Sequence, residues 1–362
     1  MRVLLINHRD LKHPSAGGAE EYLFNIAKRL AAWGHEVTLF SERSRGLLST
    51  DFYGGVKIVR RGSFLTMHLW APIYVIRNSH NYDVIVDNIA HVIPFMSTMV
   101  TRRPVVAVVY HINGPVLKKT MSPMLWRVGI LAEKSLPKLY NNIIAISEWT
   151  KNMLIKLGAP ADRVWVVKPG VDHNIYKPGV KSDKPMVLWL NRLVAYKNPD
   201  HAVEIFALVK KRIPNAKFVL AGDGPERPKI VALARDLGVE VTFTGRINLQ
   251  KKVELLQKAW VCLYTSDVEG WGLVAIEAAA CGTPCIVYAT GGLTEAVIHG
   301  KTGFHVSPGD KRSVADRIVE VLLDENLRSY LSRNAIEYSR KFDWDKSARE
   351  FEEALKSAIS YR

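Results

Sequence analysis

Cysteine is scarce in this chain: 362 residues hold three, Cys262, Cys281 and Cys285. The number is odd, all three lie in apolar contexts, and no Cys-x-x-Cys pair occurs. A buried, reduced set is therefore expected, rather than a disulfide framework or a zinc site. No apolar run reaches the roughly 18 residues of a membrane-spanning helix. The apolar part of MRVLLINHRD is too short for a signal peptide and reads as a first strand. The G-x-G-x-x-G spacing of a dinucleotide site is absent. Metal-ligand spacing is absent too. The one Asp-x-Asp, Asp343 and Asp345, stands at the start of the last helical pattern, where capping explains it. We expect no metal and no cofactor.

What is present is ordinary globular composition, 48% hydrophobic and 23% charged, with a net charge of +15. The charge is uneven: residues 1–178 hold 23 Lys and Arg against 12 Asp and Glu. A basic first half could face nucleic acid, an anionic membrane or a phosphorylated acceptor, or be plain solvated surface.

Short apolar runs alternate with helical patterns throughout. Val3–Ile6, Val37–Phe40, Val56–Arg60, Asp83–Val86, Pro104–Tyr110, Asn142–Ile146 and Val164–Val167 read as strands. Ala19–Trp33 carries Leu23, Ile26, Ala27 and Leu30 at helical spacing, and Ser147 is a natural N-cap for the helix that follows it. A segment rich in proline, glycine and polar residues then separates this half from a second of the same grammar. There the strands are Met186–Leu190, Lys217–Ala221, Glu240–Phe243, Trp260–Tyr264 and Pro284–Tyr288. The fold class is α/β, with two doubly wound, Rossmann-like domains and a cleft between them. We expect a first domain over 1–170, a linker over 171–184, a second domain over 185–343, and a last helix, 344–362, crossing back to the first.

Ligands in such folds bind beyond the C-terminal ends of the strands. Gly17 and Gly18, His111, Arg192, Gly245 and Arg246, Glu269, and Gly291 and Gly292 all fall there. The densest stretch is EGWGLVAIE, 269–277: a strand, a glycine-rich turn, then a helix. The glycines admit a close ligand and the helix tip suits a phosphate, with Glu277 about two turns beyond Glu269. The two carboxylates suit sugar hydroxyls better than phosphate. Arg192 and Lys197, at another strand end, could clamp a diphosphate and stabilise charge developing on it as a leaving group. Lys197 precedes a helix start, where a cation is unfavourable to the helix dipole, and this favours a functional role. His111 suits a hydroxyl or a reacting group, or is simply structural.

On these residues the chain resembles the retaining glycosyltransferases of the GT-B fold, family GT4 (glycosyl transferases group 1). The strongest mark is EGWGLVAIEAAACGTPCIV, supported by GGAEEYL at 17–23, PGVD at 169–172, RLVAYKN at 192–198, GDGP at 222–225, FTGR at 243–246 and ATGGLTEAV at 289–297. The resemblance implies catalytic roles for Glu269, Arg192, Lys197 and His111. Donor contacts would come from Gly17, Gly18, Arg192, Lys197, Gly245, Arg246, Glu269, Gly270, Trp271, Gly272, Leu273, Val274 and Glu277, the last meeting the ribose. It also implies a nucleotide-sugar donor, a UDP-sugar or GDP-mannose, and no metal. Asn191 and Asn198 stand where the family often has glycine, and Asn tolerates left-handed backbone.

The implied reaction moves a sugar to a hydroxyl acceptor, lipid-linked or glycan, with retention. No carboxylate pair reads as a glycosidase-like nucleophile and acid. Rival readings are a GT-B-like epimerase or phosphorylase and, from charge alone, a non-catalytic nucleic-acid binder. No recognition motif supports nucleic acid. The stretches Phe64–Arg77 and Leu117–Leu139 mix apolar and basic residues and could lie on an anionic membrane. The alternative for both stretches is a helix covering its own sheet, so a cytoplasmic protein is expected, working in solution or peripherally at the inner face of the membrane.

Overall fold

The computed structural model describes residues 1–122 and 124–360, the Thr120 side chain excepted. The stretch 117–139 and the segment 344–362 thus each include residues outside those described: Pro123, and Tyr361 with Arg362. The chain forms two compact units, one of Met1–Gly170 with Asp343–Arg362, the other of Val171–Phe342.

The first unit runs β1 (Arg2–Ile6), α1 (Gly18–Ala32), β2 (Glu36–Ser41), β3 (Thr50–Tyr53), β4 (Val56–Arg60), α2 (Met67–Asn78), β5 (Val84–Ile89), β6 (Val105–Val109), α3 (Leu117–Thr120), α4 (Leu125–Leu139), β7 (Asn142–Ala145), α5 (Glu148–Lys156) and β8 (Val164–Val166). The sheet order is β3-β4-β2-β1-β5-β6-β7-β8. Its strands are near-continuous Val, Ile and Leu because helices cover both faces. Ser147 caps α5 as its sequence position suggests, its hydroxyl accepting from the Thr150 amide at 3.1 Å.

One feature departs from the sequence reading, and another fills a stretch that it left unassigned. The sheet is not wholly parallel, because β3 pairs antiparallel with β4 at the edge. The turn Gly54-Gly55 makes that hairpin, and β3, with Thr50 and Asp51 at its start, gave no apolar signal. The aromatic stretch after β4 is a helix, α2, despite Pro72 within it.

The second unit runs β9 (Met186–Leu190), α6 (Pro199–Arg212), β10 (Lys217–Ala221), α7 (Arg227–Asp236), β11 (Thr242–Gly245), α8 (Leu249–Lys258), β12 (Val261–Tyr264), α9 (Leu273–Ala280), β13 (Cys285–Tyr288), α10 (Leu293–Ala296), β14 (Gly303–Val306), α11 (Lys311–Leu323) and α12 (Glu325–Ser339). Its sheet is ordered β11-β10-β9-β12-β13-β14 and is parallel throughout. The chain winds outward from β9 to β11, then resumes at β12 on β9's other side. This makes β9/β12 the topological switch point. Trp189, Phe206, Phe218 and Ile318 anchor a core of helices on this sheet. The three cysteines are buried and free, and burial pushes the Cys281 thiol up to about 12.

The last helix, α13 (Trp344–Ser360), returns to the first unit and lies along α1. Its apolar face buries Trp344, Ala348, Phe351 and Leu355. His35 is 2.9 Å from Glu352, and the Ser347 hydroxyl donates to the Lys168 carbonyl at 2.6 Å. Asp343 accepts from the amides of Asp345 and Lys346, as a helix cap does, and Asp345 pairs with Arg29.

Candidate active site

The site in the second unit is built on the loops that follow β9 and β12. After β12 the chain turns through Glu269 and Gly270 to Gly272, which caps α9 with φ of +98°, a conformation that only glycine adopts cheaply. The loop is pressed from behind by the one after β13. The Gly292 amide donates to the Glu269 carbonyl at 2.8 Å. A Cβ at Gly291 would stand 2.0 Å from that same carbonyl oxygen, and one at Gly292 2.1 Å from the oxygen of Gly270. The two glycine motifs of the sequence, EGWG and ATGG, are thus the two halves of one backbone contact. Trp271 is buried with its ring against Phe342, centroids 5.0 Å apart, so it is an anchor for the loop.

Lys197 enters from the β9 side, at the end of the turn Ala195–Lys197 that leads into α6. Asn198 follows it with φ of +46°, the left-handed backbone that Asn was expected to tolerate. Its amide donates to the Thr265 carbonyl and to Asp267, each at 2.8 Å. The Thr265 hydroxyl donates back to the Lys197 carbonyl at 2.8 Å, and Trp189 donates to that hydroxyl at 3.0 Å. The ends of β9 and β12 are therefore stapled together. Asn191, by contrast, is not left-handed.

This staple sets the side chains. Lys197 is buried, and its ammonium forms an ion pair with the Glu269 carboxylate. The cation assigned to diphosphate and the carboxylate assigned to the sugar are direct neighbours. Arg192 is exposed and donates to the Tyr196 hydroxyl at 3.1 Å. Glu277 lies just over one turn into α9, not two turns on, because the helix starts only at Leu273. It is 2% exposed and pairs with Lys252 of α8 at 2.6 Å. Lys252 in turn stands over the Tyr176 ring, 5.4 Å from its centre. Lys252 was missed in sequence, since nothing marks one lysine of LQKKVELLQK as inward-facing.

Tyr264 ends β12 and Ser266 lies two residues beyond it, and both hydroxyls are buried without a hydrogen-bond partner among the described residues. Burial raises the Tyr264 phenol, with Glu277 and Glu269 adding to the effect. Leu273 and Val274 open α9, half-buried. Gly245 ends β11 and accepts from the Gly222 amide at 3.0 Å, while Arg246 beside it is exposed. All these positions lie at the C-terminal edge of one sheet.

His111, Gly17 and Gly18 belong to the first unit. Gly17 caps α1 in extended backbone, its amide donating to Glu20 at 2.7 Å, and both glycines are exposed. His111 follows β6, with Nε2 3.0 Å from the Asn113 side chain. The amides of Asn113 and Gly114 hang on the buried Glu133 at 2.7 and 2.9 Å. His91, His111, Asn113 and Glu133 line a small cavity there. The switch point of this sheet is β1/β5, where His8 packs among Phe64, His68, His91 and Phe95 with ring centres 4.6–5.0 Å apart. Burial drives His8 down to about 2. His8 stands two residues past a strand end, and that position was its available signal.

The sequence and the fold both match known proteins. Residues 171–338 match the family model "Glycosyl transferases group 1" and residues 16–175 match "Glycosyltransferase Family 4". The D-inositol 3-phosphate glycosyltransferase of Acidothermus cellulolyticus is 30% identical, over 96% of this chain and 87% of that one. The N-acetyl-alpha-D-glucosaminyl L-malate synthase of Bacillus anthracis is 30% identical over 54% of each chain. Among solved structures, sucrose-phosphate synthase from Thermosynechococcus elongatus superposes with a TM-score of 0.85 at 24% identity, covering both chains fully. Anabaena HepE in complex with UDP-glucose gives 0.79 at 22% identity, over 99% of this chain and 100% of that one. The chain is a glycosyltransferase of the GT-B fold. It belongs to the glycosyl transferases group 1 family, GT4.

Proposed function

We propose that this enzyme moves a sugar from a nucleotide diphosphate sugar, a UDP-sugar or GDP-mannose, to a hydroxyl acceptor with retention of configuration and without a metal. The observation that carries the reading is the Lys197–Glu269 pair at the β9/β12 switch point. A diphosphate sugar has an anion and a polyol side by side. Lys197 would turn from Glu269 to the diphosphate with Arg192, and Glu269 would then accept from the sugar hydroxyls. The two cations supply the charge stabilisation that a divalent ion would give a leaving diphosphate. Gly270, Gly272, Leu273 and Val274 would offer backbone amides, Glu277 would take the ribose hydroxyls, Gly245 and Arg246 would meet the base, and His111 the donor sugar. Gly17 and Gly18 would form a glycine loop for the diphosphate and acceptor.

For the chemistry, a front-face substitution fits this site. The bond from the anomeric carbon to the diphosphate oxygen breaks as the acceptor oxygen bonds to the same face, and the acceptor proton passes to the leaving phosphate. No further cofactor is needed. UDP-glucose bound to the Anabaena neighbour supports a uridine donor, and the inositol phosphate named for the Acidothermus relative supports a polyol hydroxyl as acceptor. The basic first unit would work at the inner face of an anionic membrane, in the cytoplasm.

A thermal-shift screen over UDP-, GDP- and ADP-sugars tests the donor, since a ligand of the folded state raises the unfolding midpoint by mass action. Anomeric configuration of the product, read by NMR, tests retention. An inverted product, or activity lost to EDTA and restored by a divalent ion, would overturn the corresponding part.

A further inference from the structure

We propose that one composite face of the first unit, made by α2, α4 and the loop between β5 and β6, docks on an anionic lipid bilayer, so that the acceptor is a lipid-anchored hydroxyl compound. Both halves deepen the function proposed above: the docking half names the face that would meet the membrane, and the acceptor half rests on the transfer reaction.

The two helices cover the same side of the sheet. Met67, Ala71 and Val75 of α2 and Leu136 of α4 enter one core cluster with Ile85, Ala107 and Ile143 of the strands. Their outer sides are apolar where water would favour charge. On α2 and the turn before it, Leu65 is 85% exposed, Leu69 66% and Ile76 60%. On α4, Leu125 is 58% and Leu131 65% exposed. The intervening loop adds Met96 and Met99, and its Val92 lies against Gly129 of α4. A helix apolar on both sides is normally buried on both sides. So many exposed apolar side chains on neighbouring elements mark an interaction site.

The partner follows from charge. Residues 52–147 contain three carboxylates, Asp83, Asp87 and Glu133. None is offered outward by these helices. Asp83 pairs with Arg2, Asp87 is buried on Ser97 and Tyr140, and Glu133 is buried on the amides of the His111 loop. The same span holds eleven Lys and Arg. Arg61, Arg77, Arg127, Lys134 and Lys138 are exposed on or beside α2 and α4. A second copy of this chain, meeting face to face, would set like charges against each other. An anionic bilayer takes both the apolar side chains and the basic rim.

The position relative to the sheet gives the consequence for substrate. The first residues of α2 and α4 lie at the edge where β4 and β6 end, the edge that carries His111. On α4 the apolar residues are at this end, and Lys134 and Lys138 at the other. A hydroxyl presented by a lipid headgroup would therefore reach the strand ends from the bilayer itself.

The test is cosedimentation of the full chain with phosphatidylcholine vesicles, with and without about a third phosphatidylglycerol, at low and high salt. We expect binding to the anionic vesicles, weakened by salt, and lowered about tenfold or more in both Leu69→Ser/Leu131→Ser and Lys134→Glu/Lys138→Glu. Absence of binding to anionic vesicles, or wild-type binding by both variants, overturns the docking face. So does conversion of a dimer to a monomer by the leucine variant in light scattering, which would assign the face to self-association. Slow hydrolysis of the donor, measured without vesicles, should match wild type in both variants. Loss of that hydrolysis in wild type would instead count against the proposed function.

Discussion

Lys197 and Glu269, 72 positions apart, are held as an ion pair because Asn198 and Thr265 bond the backbones beneath them. The pair leaves neither group spare for an arbitrary role. A ligand that separates them has to offer an anion to one and hydroxyls to the other. Lys197→Ala and Glu269→Ala should each cut transfer by about a hundredfold or more, the scale of losing a positioned electrostatic group. Circular dichroism should stay that of wild type, and the thermal midpoint should drop only by the cost of leaving one partner of a buried pair alone. Near-normal rates in both variants would sink the site assignment.

Gly291 and Gly292 set the height of the Glu269 loop through their contact with its carbonyls. Ala at either position places a methyl about 2 Å from a backbone oxygen, which neither loop can absorb without moving. We expect each variant to lose about 1–3 kcal/mol of stability and to bind the donor nucleotide more weakly. Chemical denaturation and calorimetric titration would read the two effects. A variant with wild-type midpoint and affinity would show that the contact is dispensable.

Lys252→Met should remove the ammonium from a carboxylate that is 2% exposed. Breaking such a pair costs about 3 kcal/mol or more. The stability loss should come with weakened nucleoside binding, since Glu277 is no longer held. Lys252→Arg should recover most of both. Unchanged UDP affinity in Lys252→Met would detach Glu277 from the nucleoside.

His8 gives the first unit an acid limit. Its folded value lies near 2, mainly from burial, against an ordinary value of 6.5, and burial lowers His68 as well. Above pH 6.5 both the folded and unfolded forms are neutral, and nothing is lost. As pH falls below 6.5, the unfolded chain takes up the proton and the folded chain does not. Stability then drops by about 1.4 kcal/mol per pH unit for each such group. His8→Phe keeps a ring in the cluster, and its unfolding midpoint should fall less steeply between pH 6.5 and 4. Parallel pH profiles would show that His8 is not responsible.

Most of the framework was legible. Val56–Arg60, Met186–Leu190 and Lys217–Ala221 carry apolar runs and end signals strong enough to bound them, and the structure keeps those bounds. The edge hairpin was not legible, because one face of β3 meets water and its sequence reads as turn. The C-terminal half of the second unit was only partly legible. Gly303–Val306 is four residues long, and α12 is polar around most of its circumference, so neither rises above loop composition. At the site, Glu269 and Lys197 stood out by motif. Their pairing did not, nor did the part of Lys252, because both depend on which loops the switch point brings together.

The return of α13 to the first unit has a consequence for how the chain is made. Residues 171–342 leave the ribosome as one continuous piece and can close their sheet at once. The first unit, although it begins the chain, lacks a wall until Trp344, Phe351 and Leu355 arrive to cover α1. Of the two units, the one synthesised first is the one finished last. A chain stopped at residue 342 would carry a complete second unit and a first unit with α1 bared, a ready target for chaperones and proteases.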